Sequence, residues 1–252
     1  MRRVFDCWPQ IISRIRAADS IALFLDFDGT LAPIRATPNE VRLSQPTRAV
    51  IARLAASSRV RVWVISGRKQ ADVRGRTGVP GVQYMGLHGW EGRVDAALGP
   101  ETKRVLENAK SWLAHRIEPM RGIWIEDKGS TFAVHYRGAA ETESSLAQAE
   151  MVEVMARLNG SFRLLSGKKV WEVLPRELGD KGSAVRRELS RFDRRALPVY
   201  IGDDATDERA FSALPGGLTI RVGPQALTRA QFQLRDPASV RLFLERFEQE
   251  LS

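Results

Sequence analysis

The segment that most constrains the fold of this chain is Ile21–Thr30, in which an apolar run ends abruptly at two carboxylates and a glycine. A short, bounded apolar run is typical of a strand buried in a parallel sheet. Asp26 and Asp28 are two positions apart, so at strand spacing both side chains project from the same face. Gly29 lets the chain turn sharply after them, and Thr30 adds a hydroxyl. The segment therefore predicts a buried strand that brings two carboxylates to one edge of a sheet.

Two interpretations of the acidic pair are open from this segment alone. Carboxylates on one face repel each other unless a cation lies between them, or they divide the work of a nucleophile and an acid/base. The structural interpretation is an Asp-Gly turn at a strand end, because both residue types are common in turns. Three later segments favour chemistry: Ser66-Gly67-Arg68 after the apolar run Val60–Ile65, Lys181, and the acidic cluster 203–207 after the apolar run Pro198–Gly202.

The composition is that of an ordinary globular protein. The 252 residues are 43% hydrophobic and 27% charged, and no apolar run approaches the ~20 residues of a membrane-spanning helix. The first residues contain an acid and a proline and lack the apolar core of a secretory signal. Cys7 is the single cysteine, so an intrachain disulfide is impossible, which fits a reducing compartment. We therefore expect a cytoplasmic protein without a membrane partner.

A formal net charge of +9 raises the question of nucleic-acid binding. The arginines are scattered over many segments and form no basic run, and no nucleic-acid-binding motif is present. An anionic small molecule needs only a few local cations. We therefore expect a small-molecule ligand and no nucleic-acid partner. As a separate expectation, the protein is a monomer.

Apolar runs alternate with helical patterns over most of the chain, which predicts a doubly wound, mostly parallel α/β sheet. Residues 101–178 interrupt this order with a helix-strand-strand pattern that occurs twice. Such a pattern is typical of an antiparallel sheet with helices on one face. We therefore predict a core formed by residues 1–100 and 179–252, and an inserted α+β domain at 101–178.

The predicted core also places the candidate functional residues together. Ligands of open α/β sheets bind outside the carboxyl ends of the strands. Asp26, Ser66 and Asp203 each follow or end a predicted strand, so we expect them at one edge of the sheet. A nicotinamide-binding fold is excluded because no G-x-G-x-x-G follows the first strand.

Four segments, in order, resemble the motifs of the haloacid-dehalogenase-like (HAD) phosphatase superfamily: Asp26-Phe-Asp28-Gly-Thr, Ile65-Ser66-Gly67-Arg68, Asp180-Lys181-Gly182 and Gly202-Asp203-Asp204-Ala-Thr-Asp207-Glu208. This resemblance implies an α/β fold with a HAD-like Rossmannoid core and a mostly parallel sheet. The insertion looks like the superfamily's second, C2-type class of cap domain. Closure of such a cap would exclude water and select the leaving group.

The resemblance also implies the catalytic residues. Asp26 would attack phosphorus and form an aspartyl-phosphate. Asp28 would protonate the leaving alcohol and then deprotonate the water that hydrolyses the intermediate. Ser66 and Lys181 would hold the phosphoryl oxygens and offset their growing charge. The guanidinium of Arg68, beside a hydroxyl and backbone amides, suits a phosphate.

Mg²⁺ is the implied cofactor, because it suits a site with few carboxylates that also uses a phosphate oxygen of the substrate. By resemblance, its ligands would be Asp26, the backbone carbonyl of Asp28, and Asp203. Asp204 and Asp207 would support these ligands or bind the metal through water.

Segments of the insertion narrow the resemblance to trehalose-6-phosphate phosphatases. They are 126–137 and 167–173, to which the tail segment 230–244 is added. The polar residues that would then bind sugar hydroxyls are Glu126, Lys128, Arg137, Lys168 and Glu172. Strand alternation predicts shared faces for Glu126 with Lys128 and for Lys168 with Glu172. The alternative interpretation is a solvated sheet face with cross-strand ion pairs.

The leading hypothesis is a Mg²⁺-dependent phosphatase that hydrolyses trehalose 6-phosphate to trehalose and phosphate. A related sugar-phosphate or glycosyl-glycerate phosphatase and a phosphomutase are the enzymatic alternatives. A non-catalytic sugar-phosphate sensor is the alternative from another class. Asp26, Asp28, Lys181 and Asp203 are all present, which favours catalysis over sensing.

Overall fold

The computed structural model describes residues 2–35, 37–91, 97–158, 160–192, 195–224 and 227–251. They fall into two compact units. Unit 1 comprises Met1–Arg93 and Gly179–Ser252, and unit 2 comprises Val94–Leu178. Unit 2 is thus continuous in sequence and interrupts unit 1. Within the described residues, no helix combines the length and the apolar character needed to cross a membrane.

The regular elements follow one another in the order that the sequence predicts, with two additions. The strands are β1 Arg2–Arg3, β2 Ile21–Asp26, β3 Val60–Ile65, β4 Gln83–Met85, β5 Trp124–Asp127, β6 Phe132–His135, β7 Phe162–Gly167, β8 Val170–Pro175, β9 Leu197–Gly202, β10 Leu218–Val222 and β11 Phe232–Leu234. The helices are α1 Trp8–Ala17, α2 Gln45–Ala56, α3 Gln70–Thr77, α4 Pro100–Ile117, α5 Glu141–Arg157, α6 Lys181–Leu189, α7 Glu208–Ala213 and α8 Pro237–Gln249. Short 3₁₀ turns cover Phe5–Cys7, Pro38–Glu40, Leu87–Gly89 and Ala205–Asp207.

The two unpredicted elements carry weak sequence signals. β1 has only two residues and gains its strand geometry by parallel pairing with β11. α3 is polar, contains Gly75, and buries only Val73 and Thr77, so its apolar periodicity is faint.

Unit 1 is built on a parallel sheet of strand order β1-β11-β10-β9-β2-β3-β4. The chain runs outward from β2 through β3 and β4 on one side. It then returns after unit 2 and runs outward from β9 on the other side. The strand order therefore reverses between β2 and β9, and such a switch point leaves a crevice at the carboxyl ends of the strands.

Strand alternation divides the core of unit 1 between the two faces of its sheet. Leu23 and Leu25 of β2 pack in one cluster with apolar residues of α1, α2 and α8. Phe24 faces the other way, stacks on Trp63 with ring centroids 4.8 Å apart, and shares a cluster with residues of α6 and α7. Because Asp26 and Phe24 are two positions apart in β2, they share a face of the sheet, and the carboxylate of Asp26 is directed to the side of α6.

Side-chain caps determine where two helices of unit 1 begin. Asp180 accepts a hydrogen bond from the backbone N–H of Ser183, and the Ser183 hydroxyl accepts one from the backbone of Asp180. Asp236 and Ser239 form the same reciprocal pair at α8. Such a box satisfies two of the backbone donors that a helix start leaves unpaired. α6 consequently begins at Lys181.

Unit 2 contains an antiparallel sheet of strand order β5-β6-β8-β7 together with α4 and α5. Phe132, Val134 and Val173 project from one face into a cluster with residues of both helices. Glu126 and Glu172 lie in one row of the register, so both project from the opposite face. The predicted fold class, a mostly parallel α/β core with an inserted α+β unit, is confirmed.

Candidate active site

The buried ammonium of Lys181 is the centre of the polar cluster at the carboxyl ends of the strands. Its Nζ donates to Asp26 Oδ1 and to Asp207 Oδ1, each at 2.7 Å. Lys181 is 2% exposed, Asp26 4% and Asp207 0%. Asp26 is the last residue of β2, and Lys181 is the first of α6, so the strand end and the helix start together create the contact.

Three carboxylates meet around this lysine. Oxygens of Asp26, Asp203 and Asp207 all lie within 4.8 Å of one another, and all three residues are buried. Burial raises the pKa of Asp26 well above its usual value, and the charges of Asp207 and Asp203 reinforce this effect against the opposing charge of Lys181. Three buried carboxylates in such close proximity form an oxygen-rich donor set, which is the kind that hard cations prefer.

Asp207 differs from the other two carboxylates because its oxygens are already used by protein donors. Oδ1 accepts from Lys181 and from the Tyr200 hydroxyl at 2.7 Å, and Oδ2 accepts from the backbone N–H of Asp204 at 2.8 Å. Burial alone would raise the pKa of Asp207, but Lys181, with help from Tyr200, lowers it below its usual value. Burial alone would lower the pKa of Lys181, and its two carboxylates raise it instead. Asp207 is therefore the counter-ion of Lys181.

Tyr200 is a site residue that the sequence analysis missed. It belongs to β9, is fully buried, and stacks on Phe24 with ring centroids 6.5 Å apart. A signal was available: a tyrosine inside an apolar strand, whose buried hydroxyl needs a hydrogen-bond partner.

Asp28 is bound by Arg68 through two parallel hydrogen bonds. Arg68 Nε donates to Oδ2 and Nη2 to Oδ1, both at 2.7 Å. The same guanidinium binds Asp72 Oδ2 at 2.9 Å and the carbonyl of Pro38 at 2.9 Å. Burial would lower the pKa of Arg68, but Asp28 and Asp72 outweigh it and raise the pKa. Arg68 thus lies beside the predicted site with its nitrogens on protein acceptors, and a role in phosphate binding stays a prediction.

Ser66 is buried directly after β3, and its hydroxyl accepts from the backbone N–H of Arg68 at 3.1 Å. Its backbone carbonyl accepts from the N–H of His88 at 2.9 Å. Both contacts fix the loop between β3 and α3, so the serine occupies a defined position at the same strand edge as Asp26.

The turn after β2 depends on a glycine that touches the acidic cluster. Gly29 has φ +86°, and a Cβ on it would lie 2.2 Å from Oδ2 of Asp203. Thr30 Oγ1 donates to Asp203 Oδ1 at 3.4 Å. The Asp-Gly-Thr turn therefore has a packing role against the acidic cluster in addition to its turn chemistry.

Asp204 lies outside the carboxylate triad. Its Oδ1 accepts from the backbone N–H of Ala205 at 2.7 Å and so caps the 3₁₀ turn. Arg221, which the sequence analysis did not single out, supports this loop together with Glu208. Buried Arg221 donates to the carbonyl of Asp204 at 2.9 Å and to Glu208 at 3.3 Å.

The polar residues of unit 2 form cross-strand pairs on one face of its sheet. Lys128 Nζ donates to Glu172 Oε1 at 3.0 Å, and the Thr131 hydroxyl donates to the same oxygen at 2.9 Å. Glu126 Oε2 pairs with His135 Nε2 at 2.9 Å. Cross-strand pairing is thus present, as the alternative interpretation predicts, but Lys128 and Glu172 are only 9% and 7% exposed, so this pair is buried.

The predicted position of Lys168 on a strand face is wrong. β7 ends at Gly167 and β8 begins at Val170, so Lys168 lies in the turn between them and not on a strand face with Glu172. Lys169 has φ +66°, which shows the chain reversing direction there. Arg137 Nη2 donates to the carbonyl of Lys168 at 2.7 Å, so these two exposed residues are neighbours at the turn.

The strand order, with β2 between β3 and β9, and the insertion of unit 2 between the second and third motif segments define the class: the chain has a haloacid-dehalogenase-like fold with an inserted α+β unit. A sequence profile of the family described as "Trehalose-phosphatase" matches residues 24–231. The chain belongs to the trehalose-phosphatase family, as the resemblance of its motifs predicts.

Several known proteins are similar to this chain. Trehalose-phosphate phosphatase of Mycobacterium ulcerans (strain Agy99) is 36% identical over 251 residues, which cover 92% of this chain and 62% of the relative. The chain thus spans less than two thirds of that protein's length. The structure of the C-terminal domain of Candida albicans trehalose-6-phosphate phosphatase has a TM-score of 0.83 at 22% identity, over 96% of each chain. Aspergillus fumigatus trehalose-6-phosphate phosphatase in crystal form 3 has a TM-score of 0.65 at 26% identity, over 96% of this chain and 97% of that one.

Proposed function

We propose that this chain is a Mg²⁺-dependent phosphatase that hydrolyses trehalose 6-phosphate to trehalose and phosphate. The observation that carries the proposal is the buried contact of Lys181 with Asp26 at the end of the central strand, two residues before Asp28. Membership of the trehalose-phosphatase family supports the substrate. Relatives named trehalose-phosphate phosphatase support it in the same way.

The reaction passes through two displacements at phosphorus. In the first, an oxygen of Asp26 attacks phosphorus, the bond to the sugar oxygen breaks, and Asp28 gives a proton to that leaving oxygen. In the second, water attacks the aspartyl-phosphate, Asp28 takes a proton from the water, and the phosphorus–oxygen bond to Asp26 breaks. Since both oxygens of Asp28 contact Arg68 in the structure, one of these contacts must open before Asp28 can donate a proton.

Mg²⁺ would be held by Asp26, Asp203 and the backbone carbonyl of Asp28. The close grouping of the buried carboxylates of Asp26, Asp203 and Asp207 supports this assignment, since hard cations prefer such oxygen donors. The ion supplies charge that favours ionised Asp26 and the transferring phosphoryl group. Asp204, which caps the following turn, and Asp207, whose oxygens accept from Lys181, Tyr200 and Asp204, would act by orienting the site.

Lys181 and Ser66 would stabilise the phosphoryl group during transfer. The ammonium already lies 2.7 Å from the attacking carboxylate and is fixed by Asp207, so it needs little reorganisation during the reaction. The Ser66 hydroxyl is held at the same strand edge and can donate to a phosphoryl oxygen.

Residues 101–178 would form the substrate-specificity domain, with Glu126, Lys128, Arg137, Lys168 and Glu172 as sugar-binding residues. Three of these lie on one face of the unit 2 sheet, where charged donors and acceptors alternate. Such a face suits a polyhydroxylated ligand, because each hydroxyl both donates and accepts.

Phosphate release from a panel of sugar phosphates tests the proposal. The panel contains trehalose 6-phosphate, glucose 6-phosphate, sucrose 6-phosphate and a phosphorylated glycosyl glycerate, each with Mg²⁺ and with EDTA. We expect preference for trehalose 6-phosphate, loss with EDTA, and loss of at least a thousandfold in Asp26→Asn. Asp19→Asn, which removes an exposed carboxylate of unit 1, is the matched control.

Other outcomes separate the alternatives. Metal-dependent release from a different sugar phosphate would retain the reaction and refute the substrate. Binding of trehalose 6-phosphate without release from any substrate would favour the sensor.

A further inference from the structure

His135 and Trp124 form a pair on the polar face of unit 2 that has no role in the proposed mechanism. The two residues are register partners on β6 and β5. Their rings stack with centroids 4.0 Å apart and an angle of 9° between the planes. The imidazole Nε2 lies 2.9 Å from Oε2 of Glu126, which is the next residue on the same face of β5. The three side chains thus form one continuous contact.

The hydrogen bond has a defined direction. An ionised carboxylate can only accept, so Nε2 of His135 carries the proton and donates to Glu126. Burial would raise the pKa of Glu126, but the hydrogen bond from His135 and the charge of Lys128 outweigh it and lower the pKa. Glu126 is therefore an ionised acceptor near neutral pH.

Glu126 retains one oxygen for a ligand. His135 holds Oε2, whereas Oε1 accepts no hydrogen bond from the residues that the structure describes. On the neighbouring Glu172, Oε1 accepts from both Lys128 and Thr131. With one oxygen fixed, the Glu126 carboxylate presents the other in a single orientation, which reduces the ordering cost when a hydroxyl binds.

The stacked indole fixes the imidazole in turn. A histidine in a strand can rotate about two side-chain bonds, and parallel contact with an aromatic ring restricts both. Trp124 is 45% exposed, although tryptophan side chains are highly buried on average. Its position is explained if it holds His135.

We propose that His135, held by Trp124, is a positioning residue that presents Glu126 to a hydroxyl of the sugar and so contributes to substrate specificity. This inference rests on the proposed function, since it assigns Glu126 to the sugar of trehalose 6-phosphate. His135 acts through Glu126 and does not touch the transferring phosphoryl group.

The test compares two substrates in one set of variants. His135→Phe keeps a ring to stack on Trp124 and removes the donor. We expect it to raise KM for trehalose 6-phosphate about tenfold, the scale of one hydrogen bond to a charged group, with kcat within twofold. The ratio of kcat/KM for trehalose 6-phosphate to that for p-nitrophenyl phosphate, which lacks the sugar, should fall about tenfold. His115→Phe changes an exposed histidine of α4 and is the matched control.

A double-mutant cycle separates positioning from general damage. If His135 acts through Glu126, adding His135→Phe to Glu126→Gln should raise KM no further. An equal rise in KM from His135→Phe in the wild type and in Glu126→Gln would overturn the proposal. His135→Asn retains a short amide donor, so its KM should lie between those of the wild type and His135→Phe. It replaces His135→Phe in the test if the phenylalanine variant does not fold.

The outcomes also distinguish this inference from the function on which it rests. Wild-type hydrolysis of trehalose 6-phosphate with an unchanged KM in His135→Phe would refute the inference alone. Turnover of p-nitrophenyl phosphate without any turnover of trehalose 6-phosphate would refute the substrate, and the inference with it.

Discussion

At the scale of single residues, the three buried carboxylates of unit 1 differ because their partners differ. Asp207 has protein donors on both oxygens, among them the Tyr200 hydroxyl. Asp26 shares the ammonium of Lys181 but lies beside two further acids. The same residue type therefore serves as a fixed counter-ion in one place and as a group available for chemistry in another.

Tyr200→Phe should lower kcat/KM for trehalose 6-phosphate about tenfold and the free energy of unfolding by about 1–2 kcal/mol. The phenol is one of two donors to Asp207 Oδ1, and without it Asp207 and hence Lys181 are held less firmly. Tyr84→Phe is the control, because Tyr84 is also buried and its hydroxyl bonds the backbone of Val79. We expect a similar loss of stability there with full activity. Equal activity in the two variants would contradict a role for Tyr200.

Asp26→Asn and Asp207→Asn should shift stability in opposite directions in metal-free buffer. The pKa of Asp26 is raised in the folded protein, so ionisation weakens the fold as pH rises above the unfolded value, about 4. Asn removes that cost, and the variant should gain melting temperature over wild type at pH 7 but not at pH 4.

The pKa of Asp207 is lowered, so its charged form stabilises the fold above about pH 4, and this contribution is lost as pH falls through the lowered pKa. Asp207→Asn should therefore be destabilised at pH 7, and the difference from wild type should shrink on acidification. Thermal unfolding of both variants between pH 3.5 and 8 measures this. If the melting-temperature difference from wild type changed with pH in the same direction for both variants, the opposite pKa shifts of Asp26 and Asp207 would be contradicted.

At the scale of elements, the site depends on where strands end and helices begin. β2 ends at Asp26, the capping box of Asp180 and Ser183 starts α6 at Lys181, and the turn at Gly29 brings the chain against Asp203. Each boundary is set by local chemistry, and together they fix the distances of the charged cluster.

Gly29→Ala should abolish detectable phosphate release and weaken metal binding at least tenfold. A methyl group there would collide with Asp203, and the positive φ adds a backbone cost of about 1–2 kcal/mol. Gly223→Ala is the control, since Gly223 has φ +82° and nothing lies within 4 Å of a Cβ built on it. Gly223→Ala should lose only the stability that the positive φ costs, and it should remain active. Titration of Mg²⁺ by calorimetry, with an activity assay, distinguishes the two variants.

The sequence predicted the elements of the core well, for a physical reason. Strands buried in a parallel sheet are continuous apolar runs, so β2 and β3 could be located to within a residue, and their carboxyl ends imply that Asp26 and Ser66 share an edge. α3 lacked such a pattern. The contacts of Tyr200 and Arg68 could not be predicted, because they depend on which side chain of a distant segment lies within hydrogen-bond distance.

At the scale of the whole molecule, metal binding should stabilise the folded state. A ligand that binds only the folded chain adds about 2.7 kcal/mol at a hundred times its dissociation constant, which is about 5–10 °C in melting temperature for a chain of this size. We expect Mg²⁺ to raise the melting temperature of the wild type and of Asp19→Asn but not of Asp203→Asn. An equal rise in Asp203→Asn would show that the ion binds elsewhere.

The interruption of unit 1 by unit 2 also determines the order in which the protein can fold during synthesis. β2 pairs with β3, which follows soon after it, but also with β9, which leaves the ribosome only after all of unit 2. A nascent chain that ends at Leu178 contains the whole of unit 2 and only part of the parallel sheet. At that stage the inner edge of β2 is unpaired, and Asp26 lacks Lys181. The charged cluster therefore forms last, when the second half of the sheet joins the first.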